Sequence, residues 1–193
     1  TFNNLTVNKI STLTLNSSVT VNNTFSLTLG TIAIGGNTFT LNSTVTGGGT
    51  LTSASTGTVN YNQGSPGQSI LGVNYGNLIF SDFNKTLSST GSIGIAGTFT
   101  PGAASGHTVS GSTIDFNGGS QLIPVFAYNN FTTSGSGIKT GSGTITVSGN
   151  LTNNLGVILS GLTTLNLNGT THTNSGSLSA ATLTVGPGAT LTN

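Results

Sequence analysis

The chain has 193 residues, of which 33% are hydrophobic and only five are charged: Lys9, Asp82, Lys85, Asp115 and Lys139. Soluble domains carry about 25% Asp, Glu, Lys and Arg; this chain carries 3%, with a net charge of +1 and no cysteine, methionine or tryptophan. The balance excludes nucleic acid, which demands several Lys or Arg against phosphate, disfavours anionic membrane surfaces, and removes disulfides and Cys-ligated zinc.

In chain order the sequence predicts short strands and almost no helix. Leu13-Thr14-Leu15, Val19-Thr20-Val21, Leu27-Thr28-Leu29 and Phe39-Thr40-Leu41 alternate apolar and polar residues, the period of a strand with one buried face. Ile145-Thr146-Val147, Leu165-Asn166-Leu167 and Leu183-Thr184-Val185 repeat the pattern near the end. Between such runs sit turn formers, among them Gly35-Gly36-Asn37, Gly47-Gly48-Gly49 and Gly135-Ser136-Gly137. No apolar run reaches the roughly 18 residues of a membrane helix. The chain starts at Thr1 and contains no signal-like segment, so it is expected to be processed or to be a segment of something longer.

Blocks of sequence recur. Phe2-Asn3-Asn4-Leu5, Tyr75-Gly76-Asn77-Leu78 and Tyr128-Asn129-Asn130-Phe131 open three repeats, each followed by one lysine: Lys9, Lys85 and Lys139. Val59-Asn60-Tyr61-Asn62 with Gln68-Ser69-Ile70 matches Ile114-Asp115-Phe116-Asn117 with Gln121-Leu122-Ile123. Repeats of uneven length suit a solenoid, which absorbs a longer turn without disturbing neighbouring coils. The expected fold is therefore all-β: a right-handed parallel β-helix formed by residues 1–193 as one domain, with repeats starting near 2, 75 and 128. A β-sandwich is the alternative. All three lysines are expected at equivalent positions, whole repeats apart.

Tyr128-Asn129-Asn130-Phe131-Thr132, Gly143-Thr144-Ile145-Thr146-Val147-Ser148-Gly149-Asn150-Leu151-Thr152 and Val185-Gly186-Pro187-Gly188-Ala189-Thr190-Leu191 resemble the repetitive surface proteins of Bacteroidetes-type bacteria. More loosely, they are similar to filamentous-haemagglutinin and autotransporter passenger β-helices. The resemblance implies secretion, a parallel β-helix, and work as an adhesin, stalk or fibre. It supplies no catalytic motif.

The residues offer little chemistry. Asp82 and Asp115 are the only carboxylates; as a pair they would suit glycoside hydrolysis, but Asp115 reads as an outward or ladder residue and Asp82 as a loop partner of Lys85. His107 and His172 stand alone and read as surface or turn residues, without the three or four ligands a metal needs. Calcium between turns, through Asp82 or Asp115, lacks the usual acidic repeat. No serine has a nucleophile-elbow context, and the eight Asn-x-Ser/Thr sequons are what an Asn- and Thr-rich chain contains by chance. Thr12-Leu13-Thr14, Thr38-Phe39-Thr40, Thr144-Ile145-Thr146 and Thr182-Leu183-Thr184 raise ice binding, against the simpler reading that threonine favours outward strand positions.

The expected function is non-enzymatic: an extracellular, cell-surface rod, stalk or filament, with no cofactor and no metal. It would associate end to end with itself or with further repeats of the same chain. The alternatives are a glycan-binding or polysaccharide-active β-helix and an ice-binding protein. Candidate glycan contacts are Tyr61, Tyr75, Tyr128, Lys9, Lys85 and Lys139, with Phe126 as a further aromatic.

Overall fold

Period-2 sequence runs become strands, and every strand pair is parallel. The computed structural model describes all 193 residues and contains no helix. Successive strands stack as a β-solenoid of about ten coils. A parallel stack throughout rules out the antiparallel sandwich.

Each coil takes about 20 residues and supplies three strand segments. Thr58–Tyr61, Gln68–Ile70 and Asn74–Tyr75 make one coil; Asn77–Phe80, Lys85–Leu87 and Ile93–Ile95 make the next. On the first face Val19, Phe39, Val59, Leu78 and Phe99 lie in one column. On the third face Tyr75, Ile95, Phe116, Thr133, Asn153 and Asn174 do the same. The inward residues form one core cluster of 33 buried side chains. Edge-on aromatic pairs pack within it, among them Phe80 with Phe99 at 5.1 Å and Phe99 with Phe126 at 5.2 Å.

Stacked asparagines also tie the coils together, at strand ends and, for Asn153, inside the coil. Asn42 Nδ2 donates to Asn22 Oδ1 and Asn62 Nδ2 to Asn42 Oδ1, each at 3.0 Å. Near the other end Asn153 Nδ2 donates to Asn174 Oδ1 at 2.7 Å and Asn174 Nδ2 to Asn193 Oδ1 at 3.0 Å. Uncharged amides suit this geometry because each is both donor and acceptor, whereas stacked like charges repel.

The sequence repeat and the structural coil have different lengths. Tyr75 and Tyr128 are 53 residues apart, which is two coils and about two thirds of a third. Equivalent residues therefore land on different faces. Val59–Tyr61 belongs to the first face, but its sequence match Ile114–Phe116 lies on the third, in the same sheet as Tyr75. Recurring words of sequence therefore do not mark one recurring place on the coil. The expected opening anchor, Phe2, is 47% exposed on the outermost coil, unlike buried Tyr75 and Tyr128.

The ladder is interrupted twice: Val45–Thr46 and Thr50–Ser53 do not pair with Gln68–Ile70 and Asn74–Tyr75 of the next coil, where only the first face runs through, and a second break follows Phe99–Thr100. The strand Phe99–Thr100 ends the first sheet, and Gln121–Ile123 begins another. Thr108 bridges back to Thr86 but pairs with nothing ahead of it. Between residues 98–110 and 119–129 no backbone hydrogen bond forms, so at this seam only the third face carries the ladder through. The side chain of Gln121 crosses instead, its Nε2 donating to the carbonyls of Ile95 and Gly97 at 2.8 Å each.

Candidate functional site

Five of the six side chains expected to meet a glycan point elsewhere. Tyr61, Tyr75 and Tyr128 are fully buried in the core, and so are Lys85 and Lys139. A core side chain cannot present itself to a ligand without opening a coil, so these five are not surface contacts. Lys9 alone is exposed.

The tyrosines are wired into the backbone. Leu71 N–H donates to the Tyr61 hydroxyl at 3.3 Å, and the Tyr75 hydroxyl donates to the Leu71 carbonyl at 2.9 Å. The two hydroxyls meet at 2.7 Å, so Tyr61 donates to Tyr75 and the ring closes. Burial pushes the Tyr61 hydroxyl up to about 12 and that of Tyr75 well above its ordinary range. Tyr128 repeats half the device by donating to the Pro124 carbonyl at 2.9 Å.

Lys85 and Lys139 are equivalent, as expected; Lys9 is not. Each buried lysine stacks on a buried glutamine of the preceding coil, Lys85 on Gln68 and Lys139 on Gln121. Lys139 Nζ donates to the carbonyls of Gly118 (2.8 Å) and Gly119 (2.6 Å) and to Gln121 Oε1 (2.7 Å). Lys85 Nζ donates to Ser81 Oγ at 2.8 Å and to the Gln63 carbonyl at 3.5 Å. Burial pulls both ammonium groups down to about 8, and for Lys139 the Asp115 charge offsets part of the effect. These lysines fasten turn carbonyls to the interior.

The carboxylates do not form a pair. Asp82 Oδ1 accepts Ala103 N–H at 2.9 Å in a turn and makes no bond to Lys85, contrary to the expected loop pair. Asp115 sits in the strand Thr113–Phe116 on the third face, where Ser134 Oγ lies 2.8 Å from both its oxygens. Burial raises its carboxyl, while Ser134 and Lys139 hold it partly down. No group of three or more His, Cys, Asp or Glu comes together.

His172 is an interior rather than a surface residue, and His107 is half-buried. His172 is buried; its Nδ1 accepts Leu151 N–H at 3.1 Å and its Nε2 faces the Gly169 carbonyl at 3.2 Å. His107 repeats the first half: Nδ1 accepts Lys85 N–H at 3.0 Å. Its Nε2 is buried and has no hydrogen-bond partner. The ring lies between Phe80 (5.6 Å) and Phe126 (5.2 Å), and burial lowers its basicity.

Two clefts open along the seam. One, about 430 Å³, runs over Thr98–Thr100, Leu122–Pro124 and Thr140–Ser142. The other, about 440 Å³, is walled by the turn Pro101–Ser105 and His107 on one side and by Val125–Ala127, Thr144 and Thr146 on the other. Nothing in the sequence marks His107 as different from His172.

Outward threonines align in part. Thr144, Thr164 and Thr182 stack in one column, and Thr146, Asn166 and Thr184 in the next. Asn166 interrupts the second column, whereas on the third face Thr132, Thr152, Thr173 and Thr192 stack over four successive coils.

No family model, no curated protein and no solved structure matches the chain.

Proposed function

We propose that the chain is a segment of an extracellular rod or filament, working as a structural and adhesive element of a cell surface. The observation that carries this reading is the continuous parallel stack of about ten coils. At about 4.8 Å per coil it makes a rod roughly 48 Å long, welded by backbone bonds, asparagine ladders and an apolar interior. Such an object transmits load and presents side faces at fixed spacing.

The outermost coil supports end-to-end growth. Leu183 and Val185 stack on fully buried Leu165 and Leu167, yet remain 43% and 39% exposed. A further coil, of the same chain or of another copy, would bury them and pair the open strand edge. A heterologous contact of this kind propagates rather than closes.

Labelling of intact, unpermeabilised source cells with an antibody against the chain tests the location. Surface label together with adhesion of protein-coated beads supports the reading. Label only in permeabilised cells, or beads that adhere no better than uncoated ones, overturns it.

A further inference from the structure

The two breaks in the ladder are one device used twice. At the first seam Gln68–Ile70 and Asn74–Tyr75 follow Val45–Thr46 and Thr50–Ser53 by one coil without pairing to them. At the second, Gln121–Ile123 and Ala127–Tyr128 follow Phe99–Thr100 and Thr108 in the same way. The recurring words of sequence fall on these two places. Val59-Asn60-Tyr61-Asn62, Gln68-Ser69-Ile70 and Tyr75 frame the first seam; Ile114-Asp115-Phe116-Asn117, Gln121-Leu122-Ile123 and Tyr128 frame the second. Gln68 and Gln121 are 53 residues apart, as are Tyr75 and Tyr128.

At each seam side chains take up backbone groups that strand pairing leaves open. Gln68 Nε2 donates to the carbonyls of Leu41 (2.8 Å) and Ser43 (2.7 Å), and Gln121 Nε2 to those of Ile95 and Gly97 at 2.8 Å each. Each glutamine turns Oε1 to its own coil, where Gln68 accepts Gln63 N–H at 3.2 Å and Gln121 accepts Gly118 N–H at 2.9 Å. The Tyr75 and Tyr128 hydroxyls donate to carbonyls at equivalent positions, Leu71 and Pro124, both at 2.9 Å. Even the differences match. Leu71 has an N–H, which finds the Tyr61 hydroxyl; Pro124 has none, and Phe116 stands in the place of Tyr61. A flaw in the stack would not recur with its polar groups matched one for one.

We propose that the seams are mechanical joints, dividing the chain into three blocks, residues 1–53, 58–116 and 121–193, that yield separately under load. The stability of a coil stack is a sum of terms within coils and terms between neighbours. At every other junction strands pair on all three faces, whereas a seam keeps one ladder and one glutamine. The surviving ladder is Thr38–Leu41 on Thr58–Tyr61 at the first seam and Thr113–Phe116 on Asn130–Thr133 at the second. These hinges lie on different faces, the first and the third, so the two joints bend the stack in different directions. Weak junctions between strongly joined coils break an array into separate cooperative units. Use of the joints to spread load along a rod rests on the rod reading; the division into blocks does not.

The test is single-molecule stretching of the intact chain, held by handles at its two termini. Three unfolding steps are expected, releasing roughly 190, 210 and 260 Å at up to about 3.6 Å per residue. Leu27→Ala removes a fully buried side chain from the first block. It should lower the force of one of the two shorter steps and leave the other two steps where they were. If Leu27→Ala fails to fold, the number and lengths of the steps in the unaltered chain decide. A single step spanning the whole chain, a ladder of coil-sized steps of roughly 70 Å, or a loss of force shared by all three steps in Leu27→Ala overturns the proposal. Because the isolated chain is stretched, such a failure leaves the location and adhesion of the rod to their own test.

Discussion

Asn117 Nδ2 donates to Asn74 Oδ1 at 3.1 Å although an entire coil lies between them. The residue in between is Gly94, paired with Asn74 in the ladder. A Cβ there would sit 2.0 Å from Asn74 Oδ1 and 2.6 Å from Asn117 Nδ2. The missing side chain is what lets two asparagines clasp across a coil.

Gly94→Ala is accordingly predicted to destabilise the chain by about 1–3 kcal/mol, the usual cost of overpacking. Urea unfolding measures it. Adding Asn74→Ala and Asn117→Ala should recover part of the loss, while Gly119→Ala, with open space around its Cβ position, should change little. Equal effects at both glycines would contradict the clasp.

The buried lysines and tyrosines predict an alkaline stability maximum. Lys85 and Lys139 titrate near 8 in the fold, below the ordinary 10.5. Between those values the unfolded chain binds more protons, so stability rises with pH. Tyr61, Tyr75 and Tyr128 are shifted the other way from 10.0, so above that value the unfolded chain loses protons first and stability falls. The melting temperature should climb from about pH 8 and turn over near pH 10. In the Lys85→Met, Lys139→Met double variant the climb should vanish and the fall persist. A wild-type curve flat across the window would contradict the burial of both ammonium groups.

Tyr61→Phe opens the hydrogen-bonded ring at Leu71 and leaves a partly buried N–H without its acceptor. Its cost should be about 1–3 kcal/mol. Tyr128→Phe removes a single bond to the Pro124 carbonyl and should cost less. Denaturant titration of the two variants compares them directly, and a larger loss in Tyr128→Phe would refute the closed ring.

The seam predicts uneven protection. Peptides from residues 98–110 and 119–129 should exchange amide hydrogens faster than Phe131–Thr133 and Leu151–Asn153, which lie in the stretch of the third face that is unbroken from Tyr75 onward. Hydrogen exchange read by mass spectrometry checks this. Uniform protection along the chain would mean that the ladder closes at the seam after all.

Much of the fold was legible because strands announce themselves locally. Leu183-Thr184-Val185 pairs in register with Leu165-Asn166-Leu167, as the alternation implies. The lysines were less legible. Their type argues for solvent, and only the match of Gln68-Ser69-Ile70 to Lys85-Thr86-Leu87 one coil later hints that both first residues point inward. Phase was hidden altogether: similar words such as Val59-Asn60-Tyr61 and Ile114-Asp115-Phe116 say nothing about which face they occupy, since that depends on coil length. His107 gave no signal, because nothing in its local sequence separates its buried, unpartnered Nε2 from that of His172, which meets the Gly169 carbonyl.

Electron microscopy of the purified chain tests the central claim most directly. The rod account predicts slender particles about 48 Å long, at ~4.8 Å per coil, that join into rods of two, three or more lengths as concentration rises. Particles that stay single at every concentration, with no end-to-end contacts, would contradict it.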